Sequence, residues 1–160
     1  MKPGACIDYK MLRTLSPTTP AFETVTSGLD EGATLNRLWT YQNRIWSIDS
    51  KNTRLMTITD SLAVPVTLTS PSNRITGVET DLRLEWQTLD GATDYEWQVS
   101  DQTGFASLPA EFNGTTDMHS MRLTSLKPAT TYYWRVRATK PFYSPWSIVR
   151  SFTTALGGIN

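Results

Sequence analysis

The sequence predicts an all-β protein in which a three-stranded β-meander precedes an antiparallel sandwich of two sheets. Three observations support this fold class. The 160 residues include six Trp, six Tyr and five Phe, together with many Thr, and these residue types suit a pleated, half-buried surface. Nine Pro and nine Gly are spread among short apolar segments. No window of a dozen residues keeps the 3.6-residue period of an amphipathic helix.

Length and charge limit the class of protein. At 18.0 kDa the chain can form one ordinary core and an appendage, because domains usually contain about 100–150 residues. Fifteen Lys and Arg balance fifteen Asp and Glu, so no excess positive charge is available to grip phosphates or an anionic membrane surface. No apolar run approaches the ~20 residues that span a bilayer. We therefore expect no nucleic-acid partner and no membrane insertion.

Residues 1–36 form the first segment, and their mixture of Pro and Thr predicts an extended linker or edge-strand material. The first residues lack the basic and then apolar pattern of a signal peptide. We therefore expect a chain that is already processed or is a piece of a longer protein. The single cysteine, Cys6, excludes an internal disulfide.

Residues 37–62 are predicted to form the meander. The segments RLWTY, RIWSID and RLMTITD are separated by turn residues, and each carries large apolar residues at a spacing of two. We expect these residues to lie on one face of the sheet: Trp39, Tyr41, Trp46, Ile48, Met56 and Ile58. The segment also resembles one blade of the β-propeller-like repeats of bacterial surface proteins.

The apolar face of the meander needs a cover, since a lone three-stranded sheet is only marginally stable. The next domain, a second copy of the chain or a neighbouring module could supply that cover. A closed sandwich could cover the face only in part. We therefore expect pairing with other copies, giving a homo-oligomer or a filament.

Residues 63–155 are predicted to form the sandwich, and residues 156–160 a tail. The segment VPVTLTSP is bounded by prolines, which suits an edge strand. Clean alternation in LRLEWQ and DYEWQVS and later strands in MRLTSL, TYYWRVRA and RSFTT indicate seven short antiparallel strands. The expected inner layer is Leu82, Leu84, Trp86, Tyr95, Trp97, Val99, Leu123, Tyr132, Trp134, Val136 and Phe152.

The run LKPATTYYWRVRA, the strand containing Trp86 and the ending SPWSIVRSFTT resemble a fibronectin type III domain over its full length. The resemblance implies a seven-stranded sandwich with a tyrosine at the corner before the sixth strand, which maps onto Tyr132. The hydroxyl of that tyrosine is expected to bond to upstream backbone. Such sandwiches resemble modules of bacterial secreted or cell-surface proteins.

Residue patterns for catalysis are absent from the sequence. The only histidine, His119, alternates in sequence with Met121 and Leu123. It is therefore expected on the same side of the strand as these residues, at the rim of the inner face. No GxSxG, HExxH, CxxC or DxDxDG pattern occurs, and no glycine-rich loop follows a strand and opens a helix. The prediction is a protein that is not an enzyme and that has no cofactor and no metal site.

Exposed charges and aromatic residues are the remaining candidates for function. The resemblance implies that the strand of Glu96 lies beside the strand of Arg135 and Arg137. These residues are then expected to face each other as a ladder of opposite charges, worth about 0.2–1 kcal/mol for each pair. Outward or loop aromatics that could bind carbohydrate or protein are Tyr133, Phe142, Tyr143 and Trp146. The favoured alternative is that Trp146 caps the open end of the core, with Phe142 packed beneath it.

Asn113 begins the sequon Asn-Gly-Thr, which is a possible glycosylation site in a polar surface loop.

The leading function hypothesis is a non-catalytic structural and protein-interaction module of an extracellular or cell-surface assembly. A carbohydrate-binding accessory module of a secreted protein is the first alternative. A phage or virion structural protein, located in the virion, is the second. The expected partners are other copies of the chain or neighbouring modules, with carbohydrate left open.

Overall fold

The computed structural model describes residues 11–14, 23–25, 35–41, 44–106 and 108–157. The chain divides into two compact units, Met1–Asp60 and Ser61–Asn160. The elements in the described ranges are β-strands and a single 3₁₀ turn, which confirms the all-β fold class. Within these ranges no helix has both the length and the apolar character needed to cross a membrane.

The first unit contains two small antiparallel sheets. Its strands are β1 (Met11–Arg13), β2 (Glu23–Val25), β3 (Leu35–Tyr41), β4 (Arg44–Asp49) and β5 (Arg54–Ile58). Strands β1 and β2 pair with each other. Strand β4 lies between β3 and β5 and is antiparallel to both, so the predicted three-stranded meander is confirmed.

The register between the strands of the meander places the residues of the predicted apolar face on both faces of the sheet. Trp39 lies opposite Trp46, and Met56 lies opposite Ser47. Residues directly opposite each other share a face, and successive residues alternate, so Met56 lies on the other face from Trp46. The expectation of one common face is therefore wrong for Met56, because spacing within a strand does not determine the register between strands. Ile58 lies two residues after Met56 in β5, so its position is on the same face of the sheet as that of Met56.

The two faces of the meander also differ in burial. Trp39 is 41% exposed and Ile48 is 43% exposed, and Trp46 is half-buried. On the opposite face Ser47 and Asp49 are buried. The side chains of Tyr41 and Ile58 lie outside what the structure describes, so the predicted apolar face is tested only at the other positions.

Asp49 explains the turn that connects β4 to β5. Its carboxylate accepts hydrogen bonds from the Lys51 amide (3.2 Å) and from Asn52 Nδ2 (2.7 Å). It also forms an ion pair with Arg54, at 3.3 Å from Nε. A carboxylate that is 0% exposed must be paired in this way, and the bonds determine where β5 begins.

The second unit is a two-sheet sandwich. Its strands are β6 (Leu68–Ser70), β7 (Ile75–Val78), β8 (Leu82–Trp86), β9 (Asp94–Ser100), β10 (Asn113–Thr116), β11 (Ser120–Leu123), β12 (Thr131–Lys140) and β13 (Arg150–Thr154), with a 3₁₀ turn at Ala110–Phe112. One sheet has the order β10-β9-β12-β13-β7 and the other β11-β8-β6. This arrangement confirms the predicted fibronectin type III-like sandwich.

The opening segment of the sandwich differs from the prediction of a single first strand. Strand β6 pairs antiparallel with β8 at the edge of the smaller sheet, as the flanking prolines predicted. Pro71 then ends the ladder because it has no N–H to donate. The chain continues as β7, which pairs parallel with β13 in the larger sheet. The unit thus has one strand more than the predicted seven.

The sandwich core confirms the predicted inner layer. Alternation along β8, β9 and β12 buries every second residue. Of the predicted inner residues, only Leu82 is partly buried, and it packs against the core cluster. Further members of the core are Leu62, Val66, Leu68, Leu126 and Ala138.

Two buried tyrosines bind backbone at the crossovers between the sheets. The Lys127 amide donates to Tyr132 Oη at 3.0 Å, which confirms the predicted tyrosine corner. Tyr95 makes the same kind of bond, since the Leu89 amide donates to its Oη at 3.0 Å. Each hydroxyl therefore fixes the connection that enters its strand.

Candidate functional site

The outer face of the larger sheet carries paired polar residues from β9 and β12. The register places Arg135 opposite Gln98 and Arg137 opposite Glu96. Arg137 Nε lies 2.7 Å from Glu96 Oε2. Arg135 donates to Gln98 Oε1 from Nε at 2.9 Å and from Nη2 at 2.7 Å. The predicted pairing of Glu96 with the arginines of the neighbouring strand is confirmed, with Arg137 as its partner.

Aromatic rings lie over both guanidinium groups. The Cζ atom of Arg135 lies 4.2 Å from the ring centre of Phe105 and 4.3 Å from that of Trp146. The Cζ atom of Arg137 lies 4.3 Å from Trp146 and 4.4 Å from Tyr143. Trp146 thus interacts with both arginines. We call Phe105, Arg135, Trp146, Arg137 and Tyr143 the aromatic–arginine stack.

Two buried serines hold the loop that carries Trp146. Ser144 Oγ accepts a hydrogen bond from the Ala138 amide at 2.9 Å, and Ser147 Oγ accepts one from the Val136 amide at 3.0 Å. In return, the amides of both serines donate to the carbonyls of the same two residues. The loop therefore continues the pairing along β12, where no regular strand lies, and it positions Trp146 over the arginines.

Phe105 reaches the stack from the loop that follows β9. Its φ of 51° lies in the left-handed region, which is uncommon for a residue with a side chain. The amide of Gln102 donates to Ser100 Oγ at 3.0 Å, and the amide of Phe105 to the Gln102 carbonyl at 3.5 Å. The loop thus turns back on itself and places a buried ring against Arg135.

Charge is distributed unequally within the stack. Arg137 has the carboxylate of Glu96 as a partner, whereas Arg135 has only the neutral amide of Gln98. Burial lowers the pKa of Arg135, the nearby charge of Arg137 lowers it further, and Glu96 partly offsets these effects. Further along β12, Lys140 is paired with Asp94 at 3.0 Å. Among the described residues of this face, Arg135 is thus the cation that has no carboxylate as a direct partner.

The structure distributes the four predicted aromatic candidates over different places. Trp146 and Tyr143 belong to the stack, and Tyr143 is 43% exposed. Tyr133 is half-buried and lies opposite Ser100 and Ser151, on the outward face as predicted. Phe142 packs against the core.

The favoured alternative for Trp146, a cap over the open end of the core, is wrong. Its ring lies between Arg135 and Arg137 on the outer face. The sequence could not give this placement, because it depends on the two serine bonds to β12. Phe105 was missed altogether, since a single aromatic in a polar loop carries no periodic signal.

The remaining candidates show little sign of chemistry. His119 is exposed rather than at the rim of the inner face, and its carbonyl accepts a hydrogen bond from the Trp86 amide at 3.1 Å. Asn113 Nδ2 donates to the Pro109 carbonyl at 2.8 Å, so its amide supports the neighbouring 3₁₀ turn. Over the described ranges, no group of three or more His, Cys, Asp or Glu could hold a metal ion.

Several of the solved structures that are similar to this chain are fibronectin type III domains. The sixth such domain of human fibronectin type III domain containing protein 3 is 22% identical, covering 61% of this chain and 89% of that one, with a TM-score of 0.44. The fn3 domain of human collagen alpha-1(XX) chain is 20% identical, covering 63% and 94%, with a TM-score of 0.47. The FN5 domain of Drosophila Lar is 21% identical, covering 59% and 100%, with a TM-score of 0.42.

Two further comparisons concern sequence. A search of curated proteins finds no match. A family model described as "Purple acid Phosphatase, N-terminal domain" matches residues 64–154. This range contains all the strands of the sandwich and the entire aromatic–arginine stack. Because the match extends over more than half of the chain, the chain belongs to the purple acid phosphatase N-terminal domain family.

Proposed function

We propose that this chain is a non-catalytic structural and protein-interaction module of an extracellular or cell-surface assembly. The observation that carries the proposal is the outer face of the larger sheet. There a fully packed sandwich supports an ordered layer of arginine and aromatic side chains. Arginine and aromatic residues are enriched at the energetically important centres of protein interfaces.

The family supports the non-catalytic part of the proposal. The matching model is that of an N-terminal domain in a phosphatase family and not of the catalytic part. An accessory role fits the fold, because the inner faces of both sheets are filled by apolar side chains. An active site needs a concave pocket with convergent polar groups, and a filled core leaves little room for one.

A carbohydrate-binding module is the alternative, and the stack argues against its simplest form. A sugar ring binds a tryptophan by lying on the flat face of the indole. The Cζ atoms of Arg135 and Arg137 both lie 4.3 Å from the centre of the Trp146 ring, so a sugar would compete with the arginines for that ring. Tyr143 is the exposed aromatic of the stack, and it is the position at which sugar binding would have to be tested.

The proposal can be tested on the native chain in its source. Antibodies against the chain should label intact, unpermeabilised cells, and the chain should co-sediment with a larger surface assembly after gentle extraction. Labelling of purified virions instead would select the virion alternative. A chain found inside cells and free of any assembly would contradict the proposal.

The non-catalytic part has its own test. The purified chain should not hydrolyse p-nitrophenyl phosphate above the buffer rate, with or without added divalent metal ions. Turnover that co-purifies with the chain and disappears on unfolding would contradict this part of the proposal.

A further inference from the structure

We propose that Arg135 is a binding site for a carboxylate, supplied by an acidic segment of a partner protein that docks on the aromatic–arginine stack. This inference rests on the proposed function, because it assigns a chemical class of partner to the same face.

The first argument is the geometry of the guanidinium group. An arginine has five N–H donors in a rigid fork that matches a carboxylate. Arg135 donates from both Nε and Nη2 to the same acceptor atom, Gln98 Oε1. Within the part of the chain that the structure describes, its Nη1 has no hydrogen-bond acceptor. The group is half-buried and not enclosed, so donors remain available at its outer edge.

The second argument is pre-organisation. Phe105 and Trp146 lie over the guanidinium of Arg135 at 4.2 and 4.3 Å, and Gln98 fixes its edge. A free arginine loses rotamer freedom when it binds, and this loss opposes binding. The Arg135 side chain is already held in one conformation by these contacts, so little rotamer freedom remains to be lost on binding. A ligand carboxylate therefore meets a donor group that is held in place.

The third argument is charge. Glu96 neutralises Arg137, and Asp94 neutralises Lys140, whereas Gln98 offers Arg135 a dipole without a charge. Burial and the adjacent Arg137 both lower the pKa of Arg135, which is consistent with a cation that lacks a counter-charge. An incoming carboxylate would supply that charge in a partly desolvated setting, where charge-assisted hydrogen bonds are strongest.

The same charge pattern favours an acidic peptide over a polyanion. Binding to a sulfated glycan or a nucleic acid depends on neutralising several phosphates or sulfates at once. Among the described residues of this face, Arg137 and Lys140 already have carboxylate partners, and Arg135 is the cation without one. A single carboxylate flanked by apolar groups suits one arginine between two aromatic rings.

The test uses a peptide of known composition. A peptide Gly-Ser-Leu-Glu-Leu-Gly-Ser, labelled with fluorescein on its N-terminal amine and amidated at its C-terminus, is titrated with the full chain by fluorescence anisotropy at low ionic strength. A second peptide, labelled in the same way, carries Gln in place of the Glu. A fluorescently labelled heparin hexasaccharide is titrated in the same way, to measure binding of a polyanion. We expect the Glu peptide to bind at least tenfold more tightly than the Gln peptide and more tightly than the hexasaccharide.

Three variants locate the site. Arg135→Gln should weaken binding of the Glu peptide about tenfold or more. Gln98→Glu should do the same while keeping the stack folded, because it supplies an internal carboxylate that competes for Arg135. Lys140→Gln makes the same charge change as Arg135→Gln on the same strand, and it should alter the affinity less than about threefold.

Several results would overturn the inference. They are equal binding of the two peptides, no binding at millimolar concentration, wild-type affinity in Gln98→Glu, or equal losses in Arg135→Gln and Lys140→Gln. Tighter, Arg135-dependent binding of the hexasaccharide would assign the site to a polyanion instead. Each of these would leave the proposed function intact if the chain still co-sediments with a surface assembly.

Discussion

Replacing Tyr132 by Phe deletes one hydrogen bond from the sandwich and leaves the ring packing in place. The Tyr132 ring is 1% exposed, stacks on Phe152 at 5.7 Å and meets Phe112 edge-on at 5.7 Å. A phenylalanine ring can keep both contacts. The substitution removes the acceptor of the Lys127 amide, now at 3.0 Å, and with it the bond that fixes the crossover before β12.

The expected loss follows from the partly buried position of that bond, whose donor belongs to the exposed residue Lys127. A hydrogen bond contributes about 0.5–1.5 kcal/mol net, and water can partly replace the lost acceptor at an exposed residue. We therefore expect Tyr132→Phe to lower the free energy of unfolding by about 1 kcal/mol. Urea unfolding of the full chain, followed by tryptophan fluorescence, should show a lower midpoint with an unchanged m-value.

Tyr133→Phe is the matched control for this measurement. Tyr133 is the next residue on the same strand, and its hydroxyl makes no hydrogen bond in the described part of the chain. Its substitution should change the free energy of unfolding by less than about 0.5 kcal/mol. Equal effects of the two substitutions would refute the role assigned to the Tyr132 hydroxyl. So would normal hydrogen-exchange protection of the Lys127 amide in Tyr132→Phe.

Two other predictions concern local packing and charge. Gly114→Ala should destabilise the chain by about 1 kcal/mol in urea unfolding, because the added Cβ would lie 3.2 Å from the ring of Trp97, which is buried and has little room to shift. Gly104→Ala, whose Cβ would have no atom within 4 Å, should be neutral or stabilising, and equal effects of the two substitutions would contradict this prediction. A hydrogen bond from the Thr93 hydroxyl and, to a smaller extent, one from Lys140 hold the pKa of Asp94 below its usual value of 3.8. Stability from this group is therefore present above pH ~4 and is lost as pH falls through the lowered pKa; Thr93→Val should raise the pKa in an NMR titration, and an unchanged value would contradict the assignment.

Alternation along single strands made the sandwich predictable from sequence. Leu84 and Trp86 are buried because a period of two places them on one face of β8. The pairing of Glu96 with Arg137 followed from the strand order that the resemblance implied. The bond to Tyr132 followed in the same way.

Features that depend on register or on distant loops were not predictable. Met56 lies on the other face from Trp46 because the turn after Asp49 sets the register of β5, and no spacing within a strand encodes that. The placement of Trp146 depends on serine side chains that bind the backbone of β12. Phe105 contacts Arg135 across thirty positions of sequence, through a loop with no periodic pattern.

The measurement that tests the central claim most directly is hydrogen-exchange footprinting of the chain inside its native assembly, compared with the free chain. If the outer face of the larger sheet is the interaction surface, added protection should appear in β9 and β12 near Gln98 and Arg135 and in the loop carrying Trp146. The outer face of β8 and β11 should exchange as in the free chain. Protection confined to β8 and β11, or none in the sandwich, would contradict the account.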